Sequence, residues 1–262
     1  LSTAAAASIN VADAKTHVDG MLFSKTFRRA NLKNDDQVNI SKDYKYEIVV
    51  KAGDKVSLNG DVMGENNDFL AFMPGDNKDH GYLWVNNEAL HSNVLWGKKV
   101  RASEKTKQQI DAEKNLVGGT YVEVIRRQGK WVLVADSKKA FKISAQTPLE
   151  VIGPSRSRVV EGTLGNCGGG VTPWGTVLTC EENIENFYFK ENIDHGLGWN
   201  KFAEKNPNDY GWVVEVIPEK KIGRKLTGLG RFAHEGSTVY ANKGEKVVVY
   251  MGEDRKGGAL FK

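Results

Sequence analysis

The chain has 262 residues, 40% of them apolar and 27% charged, the mix of an ordinary folded domain, which excludes wholesale disorder. The net charge of +4 is small and dispersed, so it gives no basis for nucleic-acid binding, and no apolar run approaches the roughly 20 residues of a membrane-spanning helix. Glycine is abundant and proline scarce, 28 residues against 6, which suits many tight turns between strands.

The first residues, Leu1-Ser-Thr-Ala-Ala-Ala-Ala-Ser8, are small and apolar, like the end of an export signal. Residues 1–20 are therefore expected to be a tail and 21–262 the folded domain. Short runs rich in β-branched and aromatic residues follow, bounded by turn residues, and predict strands at 69–73, 82–88 and 121–126. A hairpin is expected to return through Gln128-Gly129 into 131–135. Residues 102–116 are charged with sparse apolar positions and predict a solvated helix. Further strands are expected at 170–172, 177–182, 212–217, 237–240, 247–254 and 259–261, with a polar, aromatic loop over 188–208.

These elements repeat. Val122-Glu-Val-Ile125 recurs as Val214-Glu-Val-Ile217, and Tyr82-Leu-Trp-Val-Asn-Asn-Glu88 aligns with Thr176-Val-Leu-Thr-Cys-Glu-Glu182. A third copy, Val247-Val-Val-Tyr-Met-Gly-Glu-Asp254, ends in the same acidic way. Each copy is a short strand, a turn, a hydrophobic strand ending in acidic or amide residues, then a glycine and another strand. Recurring units of this kind predict an all-β fold, a β-propeller of about three blades with helical and loop insertions. If the middle strands line the axis, their acidic ends converge there. Crowded carboxylates raise one another's pKa values unless a cation neutralises them. Calcium takes oxygen ligands, whereas a thiolate invites a transition metal.

The densest segment is Gly165-Asn-Cys-Gly-Gly-Gly-Val-Thr-Pro-Trp-Gly-Thr-Val-Leu-Thr-Cys-Glu-Glu-Asn183. Gly168, Gly169 and Gly170 permit close backbone approach or positive φ. Thr172-Pro-Trp-Gly175 reads as a turn. Alternation along the next strand puts Leu178, Cys180 and Glu182 on one face and Val177, Thr179 and Glu181 on the other. A thiol beside one carboxylate and two residues from another suits a metal cluster at a strand end better than a core. The two cysteines, Cys167 and Cys180, leave a disulfide, two buried thiols or a ligand role for either one open.

This segment resembles the signature of the PhoX family of bacterial alkaline phosphatases. Asn66-Asn-Asp-Phe-Leu-Ala-Phe72, Thr147-Pro-Leu149, Gly230-Arg-Phe-Ala-His-Glu-Gly236 and Tyr250-Met-Gly-Glu-Asp254 fall in family order around it. The chain reads Asn86-Asn-Glu-Ala89 where many relatives read Asn-His-Glu-Tyr. The resemblance implies a six-bladed propeller with an axial cluster of iron and calcium. It also implies hydrolysis of phosphate monoesters in the periplasm or outside the cell, after export by the twin-arginine route. It assigns Cys180 as an iron ligand with Glu181 and Glu182, and Glu235 as a carboxylate ligand, with Glu253 and Asp254 as further candidates. His234 is the candidate acid or ligand-orienting residue. The blades not accounted for are expected on the same or another chain. A calcium-binding propeller module without catalysis, and a calcium-dependent esterase or lactonase, are the competing expectations; the thiol argues for the phosphatase.

Overall fold

The computed structural model describes residues 30, 37–153, 158–242 and 244–262. The expected tail at 1–20 lies outside the described residues. The chain divides into two units, Leu1–Glu47 and Ile48–Lys262. The described part of the first is extended, with a turn closed by Tyr44 N–H on the Ser41 carbonyl. The second carries the sheets and everything that follows.

Three sheets make up this unit. The first contains β1 (Asn67–Pro74), β2 (His80–Asn87), β3 (Gly118–Arg127), β4 (Lys130–Leu133) and β5 (Phe141–Ser144). β1, β2 and β3 run antiparallel in order, and β4 and β5 share the outer edge of β3, pairing with its two ends in turn. The second sheet contains β6 (Pro148–Ile152), β7 (Arg158–Glu161), β8 (Asn166–Val171), β9 (Val177–Glu181), β10 (Val213–Ile217) and β11 (Ile222–Leu226). Its strands β8, β9, β10 and β11 form an antiparallel meander, and β6 joins the outer edge of β11 in parallel. The third is the meander of β12 (His234–Tyr240), β13 (Val248–Glu253) and β14 (Leu260–Phe261). The protein is thus mainly β, without a closed barrel among the described residues, and the sequence repeat is real. Val122–Ile125 and Val214–Ile217 both lie on the third strand of a meander.

The first strands bring the sheets together, because β8 packs between β1 and β12. The middle strands are the ones expected to border the axis, whereas the strands that pack against one another between sheets are the first ones, β1, β8 and β12. Glycine makes the approach possible. A Cβ on Gly168 would sit 2.2 Å from Gly236 N, and one on Gly170 would sit 1.8 Å from Ser237 O. No side chain of any size fits between these backbones. The turn after β8 forms as its sequence predicts, with Gly175 N–H on the Thr172 carbonyl and Gly175 at φ 85°.

The insertions are docked rather than solvated. The expected helix at 102–116 is α2 (Lys107–Lys114), which follows α1 (Ser92–Leu95). Thr106 and Gln109 form a capping box at its start. Its Ile110 and Glu113 are fully buried. Glu113 pairs with buried Lys105 at 2.8 Å and accepts from Trp96, Trp199 and Ser92. The stretch 188–208 opens just after α3 (Glu185–Tyr188). It joins a second core, in which Tyr188, Trp199 and Tyr210 pack with Leu90, Ile110 and Leu164. The charged and aromatic residues that made these insertions look exposed are satisfied by one another.

Candidate metal centre

The same construction recurs in each meander. Asp68, Cys167 and Glu235 are the second residues of β1, β8 and β12. In each strand a register shift follows at once: between Asn67 and Leu70, between Asn166 and Gly169, and between Glu235 and Thr238. Such bulges re-aim side chains that would otherwise follow the strand's alternation. Glu88, Glu182 and Asp254 each stand one residue past the end of β2, β9 and β13. Every meander thus supplies one donor from its first strand and one carboxylate from the end of its second.

These donors converge. Ligand atoms of Asp68, Glu88 and Cys167 lie within 4.8 Å of one another, as do those of Cys167, Glu182 and Glu235. Cys167 joins both groups. Its Sγ donates to Asp68 Oδ2 at 3.1 Å and lies 3.2 Å from Glu235 Oε2. Asp254 lies against Glu182. Glu182 Oε1 is buried with no hydrogen-bond partner. Among the described residues no lysine or arginine forms an ion pair with any of these carboxylates.

The electrostatics follow from this crowding. Burial pushes the Glu182 carboxyl up to about 7, and the adjacent Asp254 and Glu235 push in the same direction. Burial also raises the Cys167 thiol, reinforced by Asp68, Glu235 and Glu182. Burial and then the neighbouring Asp68 and Glu235 raise Glu88. Acidic groups that resist ionisation together, beside an unpartnered buried oxygen, form a site that a cation would complete. The donors suit it chemically, with one soft sulfur among hard carboxylates.

Several residues singled out in the sequence stand elsewhere. Cys180 is fully buried in an apolar cluster with Leu178, Val213 and Met251, and burial pushes its thiol up to about 12. Both cysteines are free thiols, so no disulfide joins them. Glu181 is fully buried and its oxygens are saturated. Oε1 accepts from Leu164 N–H at 3.0 Å and Lys225 Nζ at 2.7 Å, and Oε2 from Gly211 and Trp212 N–H at 2.9 and 3.0 Å. It ties β9 to the chain around it and is not free to ligate. His234 faces the interior, opposite Glu235 by strand alternation. It lies against the Phe232 ring at a tilt of 32°, is bonded to the Gly230 carbonyl, and is held down to about 4 by burial. Glu182, Glu235 and Asp254 do reach the cluster. Glu253 instead lines an adjoining cavity of about 160 Å³ that also touches Glu182, Arg231 and Arg255. On the other flank, a cavity of about 230 Å³ reaches Glu88, Leu90, Phe187 and His195.

Asp68 was not selected from the sequence, although it lies in Asn66-Asn-Asp-Phe-Leu-Ala-Phe72. The signal that could have found it is positional. Asn67-Asp68, Asn166-Cys167 and His234-Glu235 open the same strand of successive repeats.

The structure resembles Pseudomonas fluorescens PhoX in complex with vanadate, described as a transition state analogue. The TM-score is 0.75 and the identity 26%, over 82% of this chain and 46% of that one. The chain therefore spans about half the length of that protein. The comparison with curated proteins gave no match. A family profile described as alkaline phosphatase PhoX matches residues 25–262. With nearly its whole length matched, the chain belongs to the PhoX alkaline phosphatase family.

Proposed function

We propose that this chain provides half of a six-bladed propeller whose axial metal cluster hydrolyses phosphate monoesters. The observation that carries the reading is the convergence of Cys167 with Asp68, Glu88, Glu182 and Glu235, each placed by an equivalent point of a repeated meander. Family membership and the likeness to a vanadate-bound relative support the reaction class. The remaining blades would come from further sequence or a second chain. Export to the periplasm or beyond the cell is part of the same reading.

The donor set fits iron and calcium together. Cys167 is the donor for the softer, redox-capable metal, and Asp68, Glu88, Glu182, Glu235 and Asp254 are the oxygen donors for hard cations. Cys167 thus takes the place first given to Cys180. When bound, such ions supply charge neutralisation at the attacking and leaving oxygens of a phosphoryl transfer and acidify a nucleophilic water. The chain's own residues hold that charge in place. Burial of Cys167 and Glu182 keeps water from competing for the donors, and the three bulges fix the direction from which Asp68, Cys167 and Glu235 point. Arg231 and Arg255 are the cationic side chains that line the cavity beside Glu182, and they suit an anionic substrate. Neither His234 nor a serine nucleophile is required.

The test is elemental analysis of the complete propeller, this chain together with the blades that complete it, purified without chelators and paired with hydrolysis of an aryl phosphate. Iron and calcium together, with turnover abolished by chelation and restored by both metals, are expected. Calcium alone without turnover would overturn the phosphatase reading.

A further inference from the structure

Asn86 is fully buried at the end of β2, yet it belongs to a different sheet from Cys167. Its Nδ2 donates to the Cys167 carbonyl at 2.7 Å and to the Gly168 carbonyl at 2.9 Å. Its Oδ1 accepts from Trp84 Nε1 at 2.7 Å and from Thr179 Oγ1 at 2.8 Å. An asparagine amide offers two donors and two acceptor sites, so this side chain is completely used. Its orientation is also fixed. Indole N–H can only donate and a carbonyl can only accept, so a flipped amide would face three wrong partners, Trp84 and the two carbonyls.

The two carbonyls it caps sit where the β8–β9 ladder is interrupted. Asn166 pairs with Glu181 and Gly169 with Thr179, and the bulge between them takes in Cys167 and Gly168. A bulged residue leaves the ladder, and a buried carbonyl without a partner is costly. The missing bonds come across the sheet boundary from Asn86. Thr179 closes the arrangement, because its hydroxyl donates to Asn86 while accepting from Asn166 Nδ2 at 3.0 Å. Asn166 in turn exchanges hydrogen bonds with Thr163. On the other side, Gly236 leaves no room for β8 to shift, since even a Cβ on Gly168 would meet its nitrogen at 2.2 Å. The backbone of Cys167 is gripped from one side by bonds and bounded on the other by contact.

We propose that Asn86 is a positioning residue for Cys167: it holds the bulge of β8 in the one conformation that aims the thiol at Asp68 and Glu235. It touches no donor atom of the cluster itself. The role rests on the reading of Cys167 as a metal ligand, but the placement of the thiol can be measured without any metal.

Two readouts separate these claims. The first is the alkylation rate of Cys167 in the metal-free full chain, followed by mass spectrometry of its peptide. The second is the thiolate-to-metal charge-transfer band of the chain loaded with cobalt(II). In Asn86→Ala, Cys167 alkylation is expected to rise at least about tenfold, and the cobalt band to weaken or shift. An Ile110→Ala control creates a cavity at a fully buried site in a separate core cluster, and it is expected to lower stability while leaving both readouts unchanged. If Asn86→Ala does not fold, Thr179→Val is nearly isosteric and removes one of the two donors that hold the Asn86 oxygen. It is expected to move both readouts in the same direction by a smaller amount. A folded Asn86 or Thr179 variant with wild-type alkylation and a wild-type band overturns the positioning role. A wild-type chain without any cobalt–thiolate band overturns the ligand reading, while a raised alkylation rate in the variants still supports the positioning role.

Discussion

Replacing Lys225 by methionine should be among the most damaging single changes in the molecule. Lys225 is fully buried, donates to Glu181 and to the Asp209 carbonyl at 2.8 Å, and lies 4.2 Å from the centre of the Tyr210 ring. Methionine keeps most of the stem volume, so little is lost in packing. What is lost is the only side-chain cation, among the described residues, on a carboxylate that is itself fully buried and bonded to three backbone N–H groups. Breaking one side of such a pair costs about 3–5 kcal/mol, because an uncompensated charge stays behind. The assay is urea unfolding of wild type and Lys225→Met at neutral pH. A deficit below about 1 kcal/mol would refute the reasoning.

Three further outcomes can be checked on the same chain. Gly170→Ala places a Cβ against the Ser237 carbonyl, where the clash is backbone to side chain, and should cost about 3 kcal/mol or more in thermal or urea unfolding. Gly175→Ala meets open space but keeps a left-handed φ, so about 1 kcal/mol is expected; equal costs at the two sites would argue against the close approach of β8 and β12. Burial lowers Lys142 to about 8, so the unfolded chain binds more protons than the folded one from about pH 8 up to its ordinary value. Stability should therefore rise with pH across that window, and Lys142→Met should flatten the rise. Glu113→Gln removes the charge that pairs with Lys105 and should loosen residues 188–208, seen as faster backbone hydrogen exchange there than in β2 and β9.

The strand ends were legible because acidic residues closing a β-branched run are a local signal. Glu88, Glu182 and Asp254 were all read that way, and all three stand beside the cluster. Which cysteine joins them was not legible. Alternation puts Cys180 and Glu182 on one face only while the strand lasts, and β9 ends at Glu181. Glu182 therefore turns into the cluster while Cys180 stays in the core. Cys167 reaches the cluster through a bulge whose cause lies in another sheet, at Asn86. Glu181 and His234 looked functional because their residue types often are, and only long-range partners such as Lys225 and Gly230 reveal structural roles. The helix at 102–116 was misread as solvated for a related reason: the burial of Ile110 and Glu113 depends on partners such as Tyr188 and Trp199, far away in sequence. Strands β5, β6, β7 and β11 are short, and charged residues such as Lys142, Glu150, Arg158 and Arg224 masked their pattern.

The most direct test compares cobalt(II) titrations of the full chain with those of its Cys167→Ser and Cys180→Ser variants, following the thiolate-to-metal charge-transfer band. A ring of donors from three meanders centred on Cys167 predicts the band in wild type and Cys180→Ser and its loss in Cys167→Ser. A band that survives in Cys167→Ser and disappears in Cys180→Ser would contradict it.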